Sequence, residues 1–407
     1  MRKSEEKSGN KGNMIFLHKL FKAFADSIIN IFIPLYILKM TGSLTLALGY
    51  LCVYSFLVTI LNIFLSKFIQ KFGVIAIILH FLPIIAAETI LNFCPLTFLA
   101  LLFVALFMAL SQVLYSVPFN LVFLYGDSRS NVAKFQIATN FGKLVFILIS
   151  GYILSSEIQN SFLWLMIASS VFYIASVIPI GFSFKVIKQR FELSTKIVKP
   201  KEKCDFKFSL YHITFGMFQA TIDNCLPLFL YAFGLSFQAV TIQLALVALC
   251  KILANFVAKI LIGKRKQIVC FVINFLILSI SMICVMIVKN PTILYILSCL
   301  CSVAFPFTFV PMFKLFCEDI REKCSAFGDM TRRDVDIFSL RPVVYGSSII
   351  GLGMYPCFVL GILATTVMFA CEVKLDKKQK ITEKLEEESS ENQLENIAGA
   401  TVEKVQS

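Results

Sequence analysis

Charge is scarce in this chain. Asp, Glu, Lys and Arg together make up 15% of its 407 residues, against 58% apolar residues. A soluble protein of that length and composition would leave far more apolar surface in water than folding can hide. A large soluble core is therefore excluded. Histidine is rarer still, with 3 residues, and the 13 cysteines form no C-x-x-C pair and no Cys/His metal spacing. Most of them sit inside apolar runs, where Cys behaves as a small hydrophobe, so no disulfide, metal site or other cofactor is expected. H-E-x-x-H, G-x-S-x-G and the P-loop are all missing, and "GLGMYP" lacks the last glycine of a dinucleotide loop. With no motif for these chemistries, the chain does not read as an enzyme. The one N-x-[ST] match, Asn290-Pro291-Thr292, is disqualified by its proline.

What the chain has instead is long oily runs, with a mean hydropathy of +0.81. A membrane-crossing helix needs about 20 mostly apolar residues. Twelve such runs can be drawn: 14–38, 43–69, 73–93, 95–125, 132–155 and 160–184, then 208–233, 236–262, 266–288, 291–316, 333–354 and 356–373. The stretch before them, "MRKSEEKSGNKGN", is hydrophilic, and the first run is too long for a cleaved signal peptide. The predicted fold class is an all-α membrane protein of 12 transmembrane helices.

The net charge of +13 does not point to nucleic acid, because the basic residues lie in short loops and alternate with the runs. Arg2, Lys3, Lys7 and Lys11 precede run 1. Lys67 and Lys71 follow run 2, Arg129 and Lys134 run 4, and Lys264, Arg265 and Lys266 run 8. Arg321, Lys323, Arg332 and Arg333 follow run 10, and Lys374, Lys377, Lys378 and Lys380 follow run 12. After run 6 comes a stretch with eight Lys or Arg. The opposite loops hold only Lys39 and Lys289. Basic loops stay in the cytoplasm, so the expectation is a multi-pass protein of the plasma (inner) membrane with both termini cytoplasmic. The domain plan is a cytoplasmic N-terminus at 1–13, a six-helix bundle at 14–184, a basic cytoplasmic linker at 185–206, a second six-helix bundle at 207–373 and a polar, disordered cytoplasmic tail at 374–407.

The halves resemble each other. "NIFIPLYILKMTGS" faces "DNCLPLFLYAFGLS", matching Pro34 with Pro227 at an offset of 193 and Gly42 with Gly234 at 192. "TILNIFLSKFI" faces "KILANFVAKIL" at the same 192, placing Phe64 on Phe256 and Lys67 on Lys259. A register held over two successive helices is the mark of an internal repeat, and transporters are often built from such repeats. The bundles should thus be pseudo-symmetric.

Six helices, a long basic loop, six more helices and parallel halves together resemble the major facilitator superfamily. That family carries the loop motif G-x-x-x-D-R-x-G-R-[RK] between helices 2 and 3. Here "SKFIQKFGVI" takes its place: Ser66 stands for the first Gly, Gln70 for Asp and Lys71 for Arg, while Gly73 keeps the second Gly. The lost Asp removes the family's usual charge latch at this loop. "GKRK" from Gly263 retains the Gly-basic-basic end, and "TRRDVDIFSLRP" is similar to an Arg-acid-apolar stretch of some bacterial members.

A charge inside a lipid-spanning helix costs roughly 3 kcal/mol on insertion scales and normally faces a partner or a water-filled cavity. Asp26, Glu88, Lys143, Asp223, Lys251 and Arg341 all fall inside runs. At 1.5 Å per residue Asp26 and Lys143 lie at similar depth, roughly 17 Å in. The resemblance makes their helices neighbours, so an Asp26–Lys143 ion pair is expected, and Asp223–Arg341 as its less well matched counterpart. The resemblance also places helices 1, 4, 7 and 10 around a central cavity. On those helices Asp26, Asn30, Gln112, Gln219 and Asp223 are the leading candidates, and the charged Lys143, Lys251 and Arg341 of runs 5, 8 and 11 join them in the candidate substrate and ion pathway. Such pairs can also serve only to lock helices together. Glu88, near the outer end of run 3, reads as structural, and His18, His80 and His212 at run ends read as interfacial.

These features predict a secondary active transporter moving a small solute by alternating access as a monomer. Proton symport is one option, with Asp26, Asp223 or Glu88 as carrier. The alternative is a lipid flippase or scramblase, in which membrane lipids are the cargo rather than only the surroundings. That alternative needs a polar groove open to the bilayer.

Overall fold

The structure, a computed structural model, describes residues 2–124, 132–156, 158, 160–195, 206–263, 266–288, 290–322, 326–353 and 355–406. Every described element is helical: α1 (Arg2–Ile28), α2 (Ile33–Thr41), α3 (Leu44–Leu79), α4 (Phe81–Phe93), α5 (Phe98–Leu124), α6 (Val132–Ser155), α7 (Ser161–Thr195), α8 (Phe206–Gln219), α9 (Leu226–Ala232), α10 (Phe237–Gly263), α11 (Gln267–Ile287), α12 (Pro291–Glu322), α13 (Ala326–Ser339), α14 (Arg341–Ser347) and α15 (Tyr355–Gln406). Among the described residues, nine helical spans are long and apolar enough to cross a membrane. Of the other runs, α4 is shorter, and 206–232 and 326–352 are broken into segments.

The outward surface explains the composition. Phe64, Phe182 and Ile350 are each more than 75% exposed. In water each would lose on the order of 2 kcal/mol of burial energy, whereas lipid tails are as apolar as the side chains and remove that penalty. The inward faces carry a continuous core that runs from Phe32 and Tyr115 to Phe271 and Phe358.

The helix breaks coincide with polar residues and prolines. The first crossing helix runs as α1, tightens into a 3₁₀ turn at Asn30–Phe32 and resumes as α2 with Pro34 in its first turn. Its counterpart runs as α8, widens into a π-helix at Ala220–Cys225 and resumes as α9 with Pro227 in its first turn. Pro fits the first turn of a helix because its missing N–H would be unpaired there anyway. Irregular backbone at membrane depth is tolerated where it lines a cavity. Gly42 and Gly234, matched by the repeat, both adopt positive φ, +65° and +91°. Both stand where a side chain with Cβ would be strained, at the turn leading out of the broken helix. A third break follows Leu340, where α14 starts with Pro342 in its first turn, and a π-helix at Ser348–Leu352 follows.

Three sequence expectations change. Runs 2 and 3 are not separated by a loop: α3 passes from one to the other through a bend at Phe72 (φ −121°, ψ 19°), because Gly73 lets the ring of Phe191 press against the backbone where a Cβ would lie 2.1 Å from it. Run 6 continues as helix to Thr195, and residues 196–205 of the basic linker lie outside the described residues. The polar tail continues α15 to Gln406 rather than losing structure. Apart from Gly399 its sequence has no helix breaker, and the i,i+4 pair of Lys380 on Asp376 at 2.7 Å supports the helix where it leaves the core.

Candidate functional site

A cavity of about 410 Å³ lies where the broken helices meet. The break at Asn30–Phe32 brings Asp26, Asn30 and Pro34 to one wall, and the π-helix brings Asp223, Asn224 and Pro227 to the facing one. Lys22 of α1, Tyr50 and Tyr54 of α3, Gln112 of α5, Asn140 and Lys143 of α6, Gln243 and Lys251 of α10, and Arg341 of α14 are among the other residues that line it. Of the residues singled out from sequence, Asp26, Asn30, Gln112, Lys143, Asp223, Lys251 and Arg341 therefore face one space. Gln219 does not line it. It stands behind, and its Oε1 accepts a 2.5 Å hydrogen bond from Arg341 Nη2.

The expected ion pairs are replaced by others. Asp26 accepts from Lys22 Nζ at 2.6 Å, from Tyr173 Oη at 2.5 Å and from Asn30 Nδ2 at 3.2 Å. Lys22 and Asp26 are four residues apart on α1, so the helix itself aligns them. Lys143 has no hydrogen bond or ion pair among the described residues. Asp223 pairs with Lys251 at 2.8 Å rather than with Arg341. Arg341 instead donates Nε–H to the Ile337 carbonyl at 3.1 Å, holds Gln219 and lies 4.2 Å from the Phe338 ring centroid. Matching depth fixed one coordinate only, and rotation about each helix axis chose the partners. Lys22 escaped sequence reasoning although its i,i+4 spacing to Asp26 was a usable signal. Tyr173 had no such signal, being 147 residues from Asp26.

Two fully buried glutamates lie away from the cavity. Glu88 is fully buried, accepts from Ser169 Oγ at 3.0 Å and leaves Oε2 without a partner. Glu372, which lies inside run 12 and was not singled out from sequence, is also fully buried and accepts from the Thr308 hydroxyl. The histidines are not interfacial. His18 and His80 are at most 1% exposed, and each ring contacts a backbone carbonyl at 2.7 Å, Ser176 and Ile77 respectively. His212 is buried with its ring 4.7 Å from that of Phe316. Their rings complete aromatic clusters inside the bundle, which outweighs their place at run ends.

The motif residues lie outside the cavity. Ser66 Oγ bonds the Ile63 carbonyl at 2.9 Å, Gln70 is half-buried, and Lys71 is exposed with Nζ 5.1 Å from the Phe72 ring centroid. Gly73 serves the Phe191 contact. In the "TRRDVDIFSLRP" stretch, Arg333 pairs with its neighbour Asp334 at 2.9 Å, and Ser209 donates to Asp336 at 2.5 Å.

No protein-family model matches the chain, and no curated protein sequence does. Solved structures do. A bacterial homologue of the iron transporter ferroportin, in an outward-facing state with soaked iron, aligns over 89% of this chain and 98% of its own with a TM-score of 0.66 at 14% identity. The human organic anion transporter TETRAN aligns over 88% and 98% with a TM-score of 0.63 at 12% identity. The E. coli fucose:proton symporter, a major facilitator superfamily transporter, aligns over 89% and 98% with a TM-score of 0.54 at 14% identity. The chain has the fold of the major facilitator transporters.

Proposed function

We propose that the chain is a secondary transporter that carries a small solute through this cavity by alternating access of two six-helix halves. The observation that carries the reading is the cavity itself: charged and amide side chains from both halves of the sequence converge on one space at the breaks of the crossing helices. Discontinuous helices around a midplane site are the working parts of such transporters. The halves also touch on both sides of the cavity. On one side Phe32 lies 5.9 Å from Phe237 between ring centroids, and Gly151 lets α6 pass so close to α10 that a Cβ there would lie 1.8 Å from Thr241. On the other, Phe123 meets Phe313 at 6.3 Å and Tyr54 meets Phe338 at 6.0 Å. Alternating access would open these contacts in turn. A chain without an ATP-binding motif would draw on a gradient.

Proton coupling needs a carboxylate that can change charge. Asp26 and Asp223 are each held by a lysine, whereas Glu88 can take up a proton without breaking an ion pair. The lipid alternative gains no support. The recess facing the bilayer between α10 and α12 is lined mostly by apolar residues such as Leu246, Ile296, Leu300 and Val303, not by the polar groove a headgroup needs.

The test is uptake of labelled solutes into proteoliposomes holding the purified full chain, with and without a pH gradient. Saturable uptake abolished by Asp223→Ala supports the reading. Uptake of no solute, with lipid movement between leaflets instead, would replace it with the alternative.

A further inference from the structure

The charges of the cavity do not balance. Lys22, Lys143, Lys251 and Arg341 face it, against Asp26 and Asp223. Each carboxylate is taken by one lysine, at 2.6 Å and 2.8 Å. Lys143 is left with no polar partner among the described residues, and Arg341 is held only by neutral groups, Gln219, the Ile337 carbonyl and the Phe338 ring. Asp334 acts on Arg341 through space, but it is already paired with Arg333 at 2.9 Å and so does not make up the difference. Glu88 is turned to Ser169 and Glu372 to Thr308. Two positive charges thus remain over in a space walled by protein and, beyond it, by lipid. Uncompensated charge at that depth is expensive, and such residues normally mark a path or a ligand.

A second observation points the same way. Asn140 precedes Lys143 by one turn of α6, is only 3% exposed, and its Nδ2 donor has no partner. Both side chains line the cavity, so an amide N–H and an unpaired ammonium are available to one oxyanion, and hydrogen bonds between charged partners are about twice as strong as neutral ones. Arg341, on the other half of the sequence, offers the planar fork that fits a carboxylate or phosphate. The remaining wall includes Tyr50, Tyr54, Met108 and Ile147, and the space of about 410 Å³ is far larger than a bare inorganic ion needs.

We propose that the cavity binds a small organic anion with two negative charges, one held by Lys143 and Asn140 and the other by Arg341. The anion neutralises the surplus and bridges the two halves. Its use as cargo rests on the transport reading above, but its binding does not.

The experiment measures thermal unfolding of the purified full chain in detergent, at constant ionic strength, with succinate, malonate and phenyl phosphate as probes. Sorbitol and choline serve as neutral and cationic controls. At least one dianion should raise the melting temperature saturably while the controls do not. Lys143→Gln and Arg341→Gln should each weaken that binding about 10- to 100-fold, the loss of one charged hydrogen bond. Lys143→Arg should retain it. Ligand-free Lys143→Gln should melt no lower than the parent, because a surplus charge is removed. If no dianion stabilises the protein, if a control does so instead, or if Lys143→Gln binds as tightly as the parent, the proposal is overturned. The bound dianion is then offered to proteoliposomes. Binding without flux leaves the anion site standing and removes its use as cargo. Flux of a neutral or cationic solute through a protein that binds no dianion leaves the transport reading standing and removes the anion site.

Discussion

The Lys22–Asp26 pair offers the sharpest test of the charge arrangement. Asp26→Asn keeps the shape and, through its one oxygen, an acceptor for Tyr173, but puts its NH2 in place of the oxygen that accepts from Lys22 and so breaks the 2.6 Å bond. Two unit charges about 4 Å apart interact by about 4 kcal/mol at an effective dielectric of 20. Desolvation takes back part of this, and Asp26 keeps 30% of its side chain open to the cavity while Lys22 keeps 10%. The expected loss for Asp26→Asn is therefore about 2–3 kcal/mol, near the low end for breaking a buried pair. Lys22→Met should cost less, because Asp26 retains Tyr173 and Asn30 and the net positive charge of the cavity falls by one. The double variant should recover part of the sum, with a coupling of about 1–2 kcal/mol, inside the range for residues in contact. Lys143→Met combined with Asp26→Asn should be additive within about 0.5 kcal/mol, as for residues that share no bond. The measurement is reversible unfolding in mixed detergent micelles for all single and double variants. A larger coupling of Asp26 to Lys143 than to Lys22 would refute the arrangement and restore the pairing expected from depth alone.

Other outcomes follow from close packing, burial and orientation. Gly151→Ala should lose about 1–3 kcal/mol by overpacking and regain part of it with Thr241→Ala, since the added Cβ meets the Thr241 side chain. Gly216→Ala should not be rescued by Ile337→Ala, because there the Cβ would meet the Ile337 carbonyl at 1.9 Å; unfolding of the four variants checks both. Glu88→Gln should change stability by less than about 1 kcal/mol, the shape being kept and no ion pair lost, whereas Glu88→Lys should prevent accumulation of folded protein, as read by size-exclusion of the solubilised chain. Cys94, exposed between α4 and α5, should react in intact cells with a membrane-impermeant maleimide, and reporters fused after Lys203 and Glu383 should read cytoplasmic. Labelling of Cys94 only after permeabilisation would reverse the orientation.

Much of the architecture was legible because membrane physics writes it into composition. Lipid requires long apolar helices, so runs could be counted, and breaks in them could be anticipated where Pro34, Pro227 and Pro342 sit beside Asn30, Asp223 and Arg341. Positive φ at Gly42 and Gly234 was signalled by residue type, since only glycine takes it cheaply. The ionisable residues of the cavity were recognisable one by one, because each is too costly to leave in lipid. Their partners were not. Depth along a helix is set by sequence number, but the direction a side chain faces depends on how the helix is rotated against its neighbours, and Asp223 accordingly pairs with Lys251 rather than with Arg341. Lys143 could be seen to be charged but not to be unpaired, since that requires knowing where every carboxylate points. Burial of Glu372 likewise escaped a linear reading, because the last apolar run passes into the polar tail without a break and only its packing beside Thr308 separates inside from outside. Local pattern thus determined which residues needed a protein-lined cavity, and tertiary packing alone decided which of them satisfy one another, because pairing depends on distances between helices far apart in the chain.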